Sequence, residues 1–509
     1  MKGERWSTTN EIKRVLTSLD KGELGGAILF REGKTNFIFC DEGHMTIIGG
    51  SGTGKSRRVT FGQIRTLIMK CESFIVIDPK GELYKNTACY AKNTHTIKVF
   101  NCRQPAYSQR WNPLQYAWEL WHKGEHSAAQ EKVREFVKDF TGDYRTTEHY
   151  WKESLINLAT GMAYLLIQLP NKHHCNISTI YNLLSEDRDS LRDVDSNAGI
   201  VWDSSLQKTV DALKEDDPAK KLLAGYLSAA LTTRSSVLTT VTNKLADFCI
   251  SEEISNLTSG DDFDIANLDV DSKPLAVYVI IPDGKKIYSE IAAMLVSQLT
   301  THFKELADKK YGGTLPNRLN IILEELGNVG RSISELPELM SASRSRNMRM
   351  TLVVQSLSQL DSLYGANDAE TIRGNTNVWM MFRNSNWDTL QTFSQQCGNR
   401  KIKSGDIVEV QPLINPTQLG AMEIGQALVL INGRTKYIAQ FPDYTQMFDC
   451  ENLEEVPLEK TKVDKNNKKL MLSDIPNLII SETVANKRQQ SPLKSMLSNR
   501  PIEGDRDVC

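Results

Sequence analysis

Apolar and polar residues alternate along this chain in two textures. Short β-branched runs come first, at Met45-Thr46-Ile47-Ile48, Phe74-Ile75-Val76-Ile77 and Thr96-Ile97-Lys98-Val99-Phe100, with helical spacing between them. Such alternation predicts a parallel sheet with helices on its faces. After Trp111-Asn112-Pro113-Leu114 the texture changes. From about 115 to 260 strand-like runs thin out, and Ala, Leu, Lys and Glu recur at amphipathic helical spacing, as in 132–140 and 209–214. That stretch predicts an all-α insertion. Strand runs return at 275–281, 319–323, 350–354, 378–382 and 427–431, and the last faces 437–441 across Asn432-Gly433, a hairpin signal. From 451 onward Lys, Asn, Asp, Ser and Pro dominate and the charges cancel. This composition predicts a flexible tail, with one short element at 475–480. The expected division is therefore an α/β domain in two parts, 1–112 and 263–450, an all-α domain at 113–262 and a tail at 451–509.

Within the first part, the run 45–48 leads into Gly49-Gly50-Ser51-Gly52-Thr53-Gly54-Lys55-Ser56, a full match to GxxxxGK[ST], and a helical pattern follows from Arg57. Strand, glycine-rich turn and helix give a phosphate cradle. The glycines let successive N–H groups point inward, and the helix N-terminus adds partial positive charge. Lys55 is expected to reach the β- and γ-phosphates of ATP and the Ser56 hydroxyl to ligate Mg²⁺.

A second strand supplies acids. The run Arg318-Leu319-Asn320-Ile321-Ile322-Leu323 ends in Glu324 and Glu325. Carboxylates at the C-terminal end of a buried strand suit a P-loop ATPase: Glu324 would hold the Mg²⁺ shell, and Glu325 would orient and deprotonate the attacking water. Glutamate stands at the first position where aspartate is usual. Its longer arm reaches the same shell through a bound water. The run 351–354 delivers Gln355, whose amide can hydrogen-bond both γ-phosphate and water if its strand lies beside that of Glu324 and Glu325. Upstream, Arg344, Arg346 and Arg349 fall in close succession, and an arginine fork suits transition-state phosphate oxygens. Asp78 closes another strand, at the end where ligands of α/β sheets bind.

Composition adds bounds. The 509 residues suffice for about two or three domains. A net charge of −2 neither points to nucleic acid nor excludes it. Nine scattered cysteines form no CxxC pair, so a zinc site or disulfide frame is not expected. His173-His174-Cys175 lacks further ligand spacing and reads as solvated surface. The polar start Met1-Lys2-Gly3-Glu4-Arg5-Trp6 is not a secretory signal. The longest apolar stretch, 155–169, is interrupted by Asn157, Thr160 and Gln168 and falls short of the roughly 20 residues of a spanning helix, so a buried helix is expected.

Taken together, residues 49–56, Ile77-Asp78-Pro79-Lys80-Gly81-Glu82, Trp111-Asn112-Pro113-Leu114, Glu324-Glu325 and Gln355-Ser356-Leu357-Ser358-Gln359-Leu360 resemble the TraG-type coupling proteins, the conjugation ATPases of type IV secretion systems. Asn375, Asp388-Thr389, Ser394, Gly398 and the closing 427–434 continue the likeness, which spans roughly 1–445. The resemblance implies a RecA-like motor with an inserted helical domain. It implies a ring of six identical subunits that uses ATP to move single-stranded DNA, with its bound relaxase, toward the secretion channel components. It also implies nucleotide at subunit interfaces, with Arg344 as the finger supplied in trans and Arg346 fitting the spacing less well. The helical domain is the expected platform for relaxosome and protein substrates. The implied location is the cytoplasmic face of the bacterial plasma membrane. Family members mostly carry N-terminal transmembrane helices, and this sequence begins where those would end. Membrane contact is thus expected through a partner or through an anchor missing from the N-terminus. Two other readings share the pocket: a double-stranded DNA motor of the FtsK/HerA type, and a nucleotide-gated substrate receptor without translocase activity.

Overall fold

The N-terminal segment departs from the predicted alternation. In the computed structural model, which describes residues 4–141, 149–189, 191–192, 201–202, 204–249, 251–282, 284–328, 333, 335–404, 407–448, 454–461 and 470–481, a helix Thr9–Val15 precedes three short antiparallel strands. These are β1 (Thr17–Ser18), β2 (Ala27–Glu32) and β3 (Thr35–Phe39), ordered β1-β3-β2. Gly33-Lys34 turns β2 back on β3, so that Glu32 faces Thr35 and Arg31 faces Asn36. Ile12, Leu16, Ala27, Leu29 and Phe39 then pack with Met45, Ile47, Val353, Met380 and Val429 of the large sheet, covering part of one of its faces.

The large sheet begins with β4 (His44–Ile48), β5 (Ser73–Asp78) and β6 (Thr96–Asn101). The chain then runs through the helical stretch, which carries one short antiparallel pair, β7 (Leu191–Arg192) with β8 (Val201–Trp202). It returns as β9 (Leu275–Ile280), β10 (Leu319–Leu323), β11 (Met348–Val354) and β12 (Thr376–Phe382). A separate hairpin follows, β13 (Asn399–Ser404) with β14 (Ile407–Pro412), and then β15 (Gln426–Ile431) and β16 (Thr435–Gln440). The large sheet is ordered β16-β15-β12-β4-β11-β10-β5-β9-β6. Strands from β12 to β6 run parallel, while β15 pairs antiparallel with both β12 and β16. Every residue of β5, β9, β10 and β11 is buried, as expected of parallel strands covered on both faces. The helices Phe61–Met69 and Glu82–Ala91 supply Ile64, Leu67, Leu83 and Ala88 against Phe74, Val76 and Tyr278.

By its internal contacts the chain divides into one unit of 1–111 with 262–461 and another of 112–261 with 462–509. Among the described residues, the regular elements of the second unit are helices apart from β7 and β8. Its helix His149–Ile167 buries Leu158, Met162, Ala163 and Leu166 completely or nearly so, and takes up most of the apolar stretch 155–169. No described helix is long and apolar enough to cross a membrane.

Two described pieces of the tail are packed: 454–461, where a flexible segment is expected, and 470–481, which contains the short element expected at 475–480. In the first unit, Val456 and Leu458 rest against the cluster around Phe61 and Tyr84, and the Tyr84 hydroxyl donates to the Val456 carbonyl at 3.1 Å. In the second, Leu472 and Ile475 are fully buried, the Thr209 hydroxyl donates to the Leu472 carbonyl at 3.0 Å, and 475–481 is helical. The apolar residues responsible in the first piece, Val456 and Leu458, stand in a polar background too sparse to form a periodic pattern. The remaining residues of 451–509 lie outside the described set.

This burial makes a direct prediction. Leu472→Ala should lower the stability of the helical unit by about 2–4 kcal/mol, as large-to-small core changes do. The measurement is the denaturant midpoint of the full chain followed by helical circular dichroism. The adjacent exposed Ser473, changed to Ala, should shift it by no more than about 0.5 kcal/mol.

Candidate nucleotide site

Four adjacent strands deliver their last residues to one edge of the sheet. Ile48 of β4 pairs with Val354 of β11, and Leu323 of β10 pairs with both Leu352 of β11 and Ile77 of β5. The residues that follow, namely the loop 49–56, Gln355, Glu324-Glu325 and Asp78, therefore share that edge. The strand of Gln355 lies between those of the loop and of the acid pair.

The loop extends the ladder before it turns. Gly49 N–H donates to the Val354 carbonyl at 3.3 Å and Gly50 N–H to the Arg383 carbonyl at 3.2 Å. Gly54 then adopts φ 88°, a left-handed conformation that an L side chain resists, and the helix starts at Ser56. Lys55 is only 7% exposed. Its ammonium folds over the loop and donates to the carbonyls of Gly49 at 2.5 Å and Gly50 at 3.0 Å. Burial pushes its pKa down, and the charges of Glu324 and Glu325 act in the opposite direction.

Glu324 is 3% exposed and meets the loop directly. The Ser56 hydroxyl donates to its Oε1, and the Thr60 hydroxyl, one helical turn on, donates to its Oε2 at 2.8 Å. Burial raises the pKa of this carboxyl, while both hydroxyls and Lys55 hold it down. Glu325 follows with φ 49°, a left-handed conformation that costs a non-glycine residue roughly 1–2 kcal/mol. It lines the same pocket as Ser56, Glu324, Asp78 and Lys80. The hydroxyl of Ser56 and the carboxylate of Glu324 are hard oxygen donors in direct contact, a set that fits Mg²⁺ completed by phosphate and water.

Gln355 is half-buried and its backbone is held on both sides. Its N–H donates to Gln359 Oε1 at 2.8 Å, and its carbonyl accepts from the Asn384 amide at 2.7 Å. Asp78 is turned away from ligand duty. Its buried carboxylate accepts the Tyr84 N–H at 2.9 Å, in the first turn of the helix Glu82–Ala91, and the nearby backbone N–H groups of Leu83, Gly81 and Lys80 favour its charged form. Burial outweighs those bonds and pushes its pKa up to about 6.

Arg344 is not brought to this edge. It precedes β11 and so sits at the opposite end of the sheet, with its side chain 60% exposed and its Nε 3.6 Å from Glu42. Arg346 is committed: it donates to both oxygens of Asp308, at 3.0 and 2.9 Å, and to the Ala342 carbonyl at 2.8 Å. Arg349 is buried within β11 and donates to the Phe39 carbonyl. Sequence reasoning did not single out Thr60 or Asn384, and gave Gln359 no role beyond its place in the motif 355–360. Thr60 carried a usable signal, since it stands four residues after Ser56 and so shares its helix face.

The type IV secretory system conjugative DNA transfer family matches residues 2–473. Among solved structures, the bacterial conjugative coupling protein TrwBdeltaN70 in a trigonal form with sulphate aligns at TM-score 0.62 and 16% identity, covering 91% of this chain and 95% of that one. The plasmid coupling protein TrwB in complex with ADP and Mg²⁺ gives TM-score 0.62 and 16% identity, with 92% and 96% covered. TrwB with the ATP analogue ADPNP gives 0.60 and 16%, with 92% and 97% covered. At these identities the likeness is one of fold: an α/β motor of RecA-like type with a helical insertion. None of the curated proteins matches the chain.

The caged Asp78 gives this site a pH signature. Its folded pKa, about 6, lies above the unfolded value of about 3.9. The folded state therefore binds the proton more tightly. That contribution to stability is complete below about pH 4 and is lost as pH rises through 6. Relative to Asp78→Asn, which cannot titrate, the parent protein should gain about 2–3 kcal/mol on going from pH 7 to pH 4. Paired denaturant midpoints at the two pH values measure the difference, and parallel curves would exclude it.

Proposed function

The chain belongs to the type IV secretory system conjugative DNA transfer family, and on that footing we propose that it is the ATPase that couples a conjugative DNA substrate to the secretion channel. The observation that carries this reading is the shared edge at which Lys55, Ser56, Glu324 and Glu325 meet. ATP lies over that edge with its β- and γ-phosphates in the loop 49–56. Lys55 exchanges its two glycine carbonyls for phosphate oxygens, and so its desolvation is offset by a stronger partner. Ser56 and Glu324 hold Mg²⁺, which when bound screens the charge on the phosphate oxygens. Glu325 accepts the proton of the attacking water as the water oxygen bonds to the γ-phosphorus and the bond to ADP breaks. Gln355, half-buried at the end of the intervening strand, orients that water and contacts the γ-phosphate.

The seven residues of β11 separate Arg344 from Gln355 by about 20 Å, well beyond the reach of an arginine side chain. Arg344 therefore does not act on the nucleotide of its own chain, and the reading takes it as the finger for a neighbouring copy. That supports assembly as a ring of identical subunits, a homo-hexamer as the resemblance implies, around single-stranded DNA with its bound relaxase. Channel components of the secretion system receive the DNA. Contact with the inner face of the membrane comes through a partner or an N-terminal anchor.

ATP turnover of the purified chain without DNA, with single-stranded DNA and with duplex DNA tests this reading. Stimulation by single strands is expected. Lys55→Ala should abolish nucleotide binding. Glu325→Gln should keep it while turnover falls by about 10²–10⁴-fold. Stimulation only by duplex would favour a double-stranded DNA motor, and turnover indifferent to any DNA would favour a nucleotide-gated receptor.

A further inference from the structure

His44 opens β4, the strand whose other end becomes the phosphate loop, and only 1% of it is exposed. Its ring touches the chain at three points around the arginine turn. Met350 N–H donates to Nδ1 at 3.1 Å. A backbone N–H can only donate, so Nδ1 is the acceptor nitrogen and the neutral ring carries its proton on Nε2. That Nε2–H donates to the Met340 carbonyl at 2.9 Å, and the Ser343 hydroxyl lies 3.3 Å from the same nitrogen. Met340 and Ser343 stand at the end of the helix Leu336–Ala342 and just past it, immediately before Arg344, while Met350 lies beyond the turn in β11. Burial keeps the imidazole neutral, with its pKa down at about 4, and the positive charges of Arg349 and Arg344 push the same way. Nothing about the pocket at the far edge needs a histidine here, and an apolar residue would fill the space at lower desolvation cost.

We propose that His44 is a positioning residue for Arg344: it pins both ends of the turn 341–349 to the root of the strand that bears the phosphate loop, so that each subunit presents its finger at a fixed distance from its own nucleotide. The proposal rests on the reading of Arg344 as a finger acting in trans. It explains why a turn with an exposed arginine at its tip is anchored by a buried neutral ring. Among the described residues, the Arg344 side chain has one ion pair, the exposed contact with Glu42, two residues before His44. The base of the turn is fixed while the tip is available.

The substitutions follow from the ring geometry. Asn at this position sets its carbonyl near the place of Nδ1, keeping an acceptor for Met350 but reaching neither Met340 nor Ser343. Gln sets its amide N–H near the place of Nε2 and keeps the donor to Met340. In the assembled ATPase, His44→Asn should lower kcat by roughly tenfold or more, in the direction of Arg344→Ala, with nucleotide affinity unchanged. His44→Gln, which keeps the hold on Met340 at the end that leads into Arg344 but loses the acceptor for Met350, should lose less than His44→Asn. Mixing His44→Asn with Lys55→Ala subunits should restore turnover above that of either alone. The first supplies an intact pocket and the second an intact finger, a rescue that a misfolded variant could not give. Full turnover by His44→Asn beside an impaired Arg344→Ala would overturn the clamp while leaving the finger intact, as would a mixture without rescue. Full turnover by Arg344→Ala would remove the finger reading, and the clamp with it.

Discussion

A carboxylate buried at the end of a central strand remains in place only if its charge is met. Glu324 is such a group, and what meets it comes from the phosphate loop: two hydroxyls one helical turn apart, Ser56 and Thr60, and the ammonium of Lys55 nearby. An unpaired buried charge is penalised far more heavily than a lost neutral hydrogen bond. This contact therefore constrains the loop, the first turn of its helix and the end of β10 to move as one piece. The strand between them, β11, must then end in register with both, as Val354 with Ile48 and Leu352 with Leu323 do. The position of Gln355 follows from that register.

The parallel sheet also separates two kinds of task by length. Residues after the strands meet at the nucleotide edge, and residues before them meet at the other. Arg344, His44 and the turn between β10 and β11 belong to the second edge. In the ring proposed above, where subunits act on each other's nucleotides, both edges must be rigidly related. Here the relation runs along single strands, β4 and β11, that reach from one edge to the other through a fully buried core. Buried strands of this kind transmit position without bending, because close-packed interiors have few alternative arrangements.

The loop, the acid pair and the closing hairpin were legible in the sequence because each encodes a local backbone geometry. Glycines before Lys55, two acids after an apolar run and Asn432-Gly433 between strands can each be read within a dozen residues. The small antiparallel sheet at 17–39 was not legible, because its strands are short and its polar ends, Arg31 to Thr35, blur the alternation. His44 was passed over for a different reason. A polar residue at the start of an apolar strand has no local partner, and its three contacts come from nearly 300 residues away, as the Met340 carbonyl shows. The first packed tail piece is similar: Val456 and Leu458 rest on a surface built by distant chain, around Phe61 and Tyr84.

The same contrast resolves the Asp78-Pro79-Lys80-Gly81-Glu82 segment. Its wording is distinctive enough to suggest chemistry, and it borders the pocket. The geometry assigns it another role. Asp78 accepts the Tyr84 N–H at the helix start, and the backbone N–H groups of the turn face it. Gly81 supplies the left-handed φ of 75° that the turn requires, and Glu82 places an acid in the first turn of the helix, where the macrodipole favours it. A carboxyl that is buried, with its pKa near 6, and that already accepts the Tyr84 N–H is poorly suited to hold a cation. Its value is shape: it fixes the turn that carries Lys80 into the wall of the same pocket that Glu325 lines.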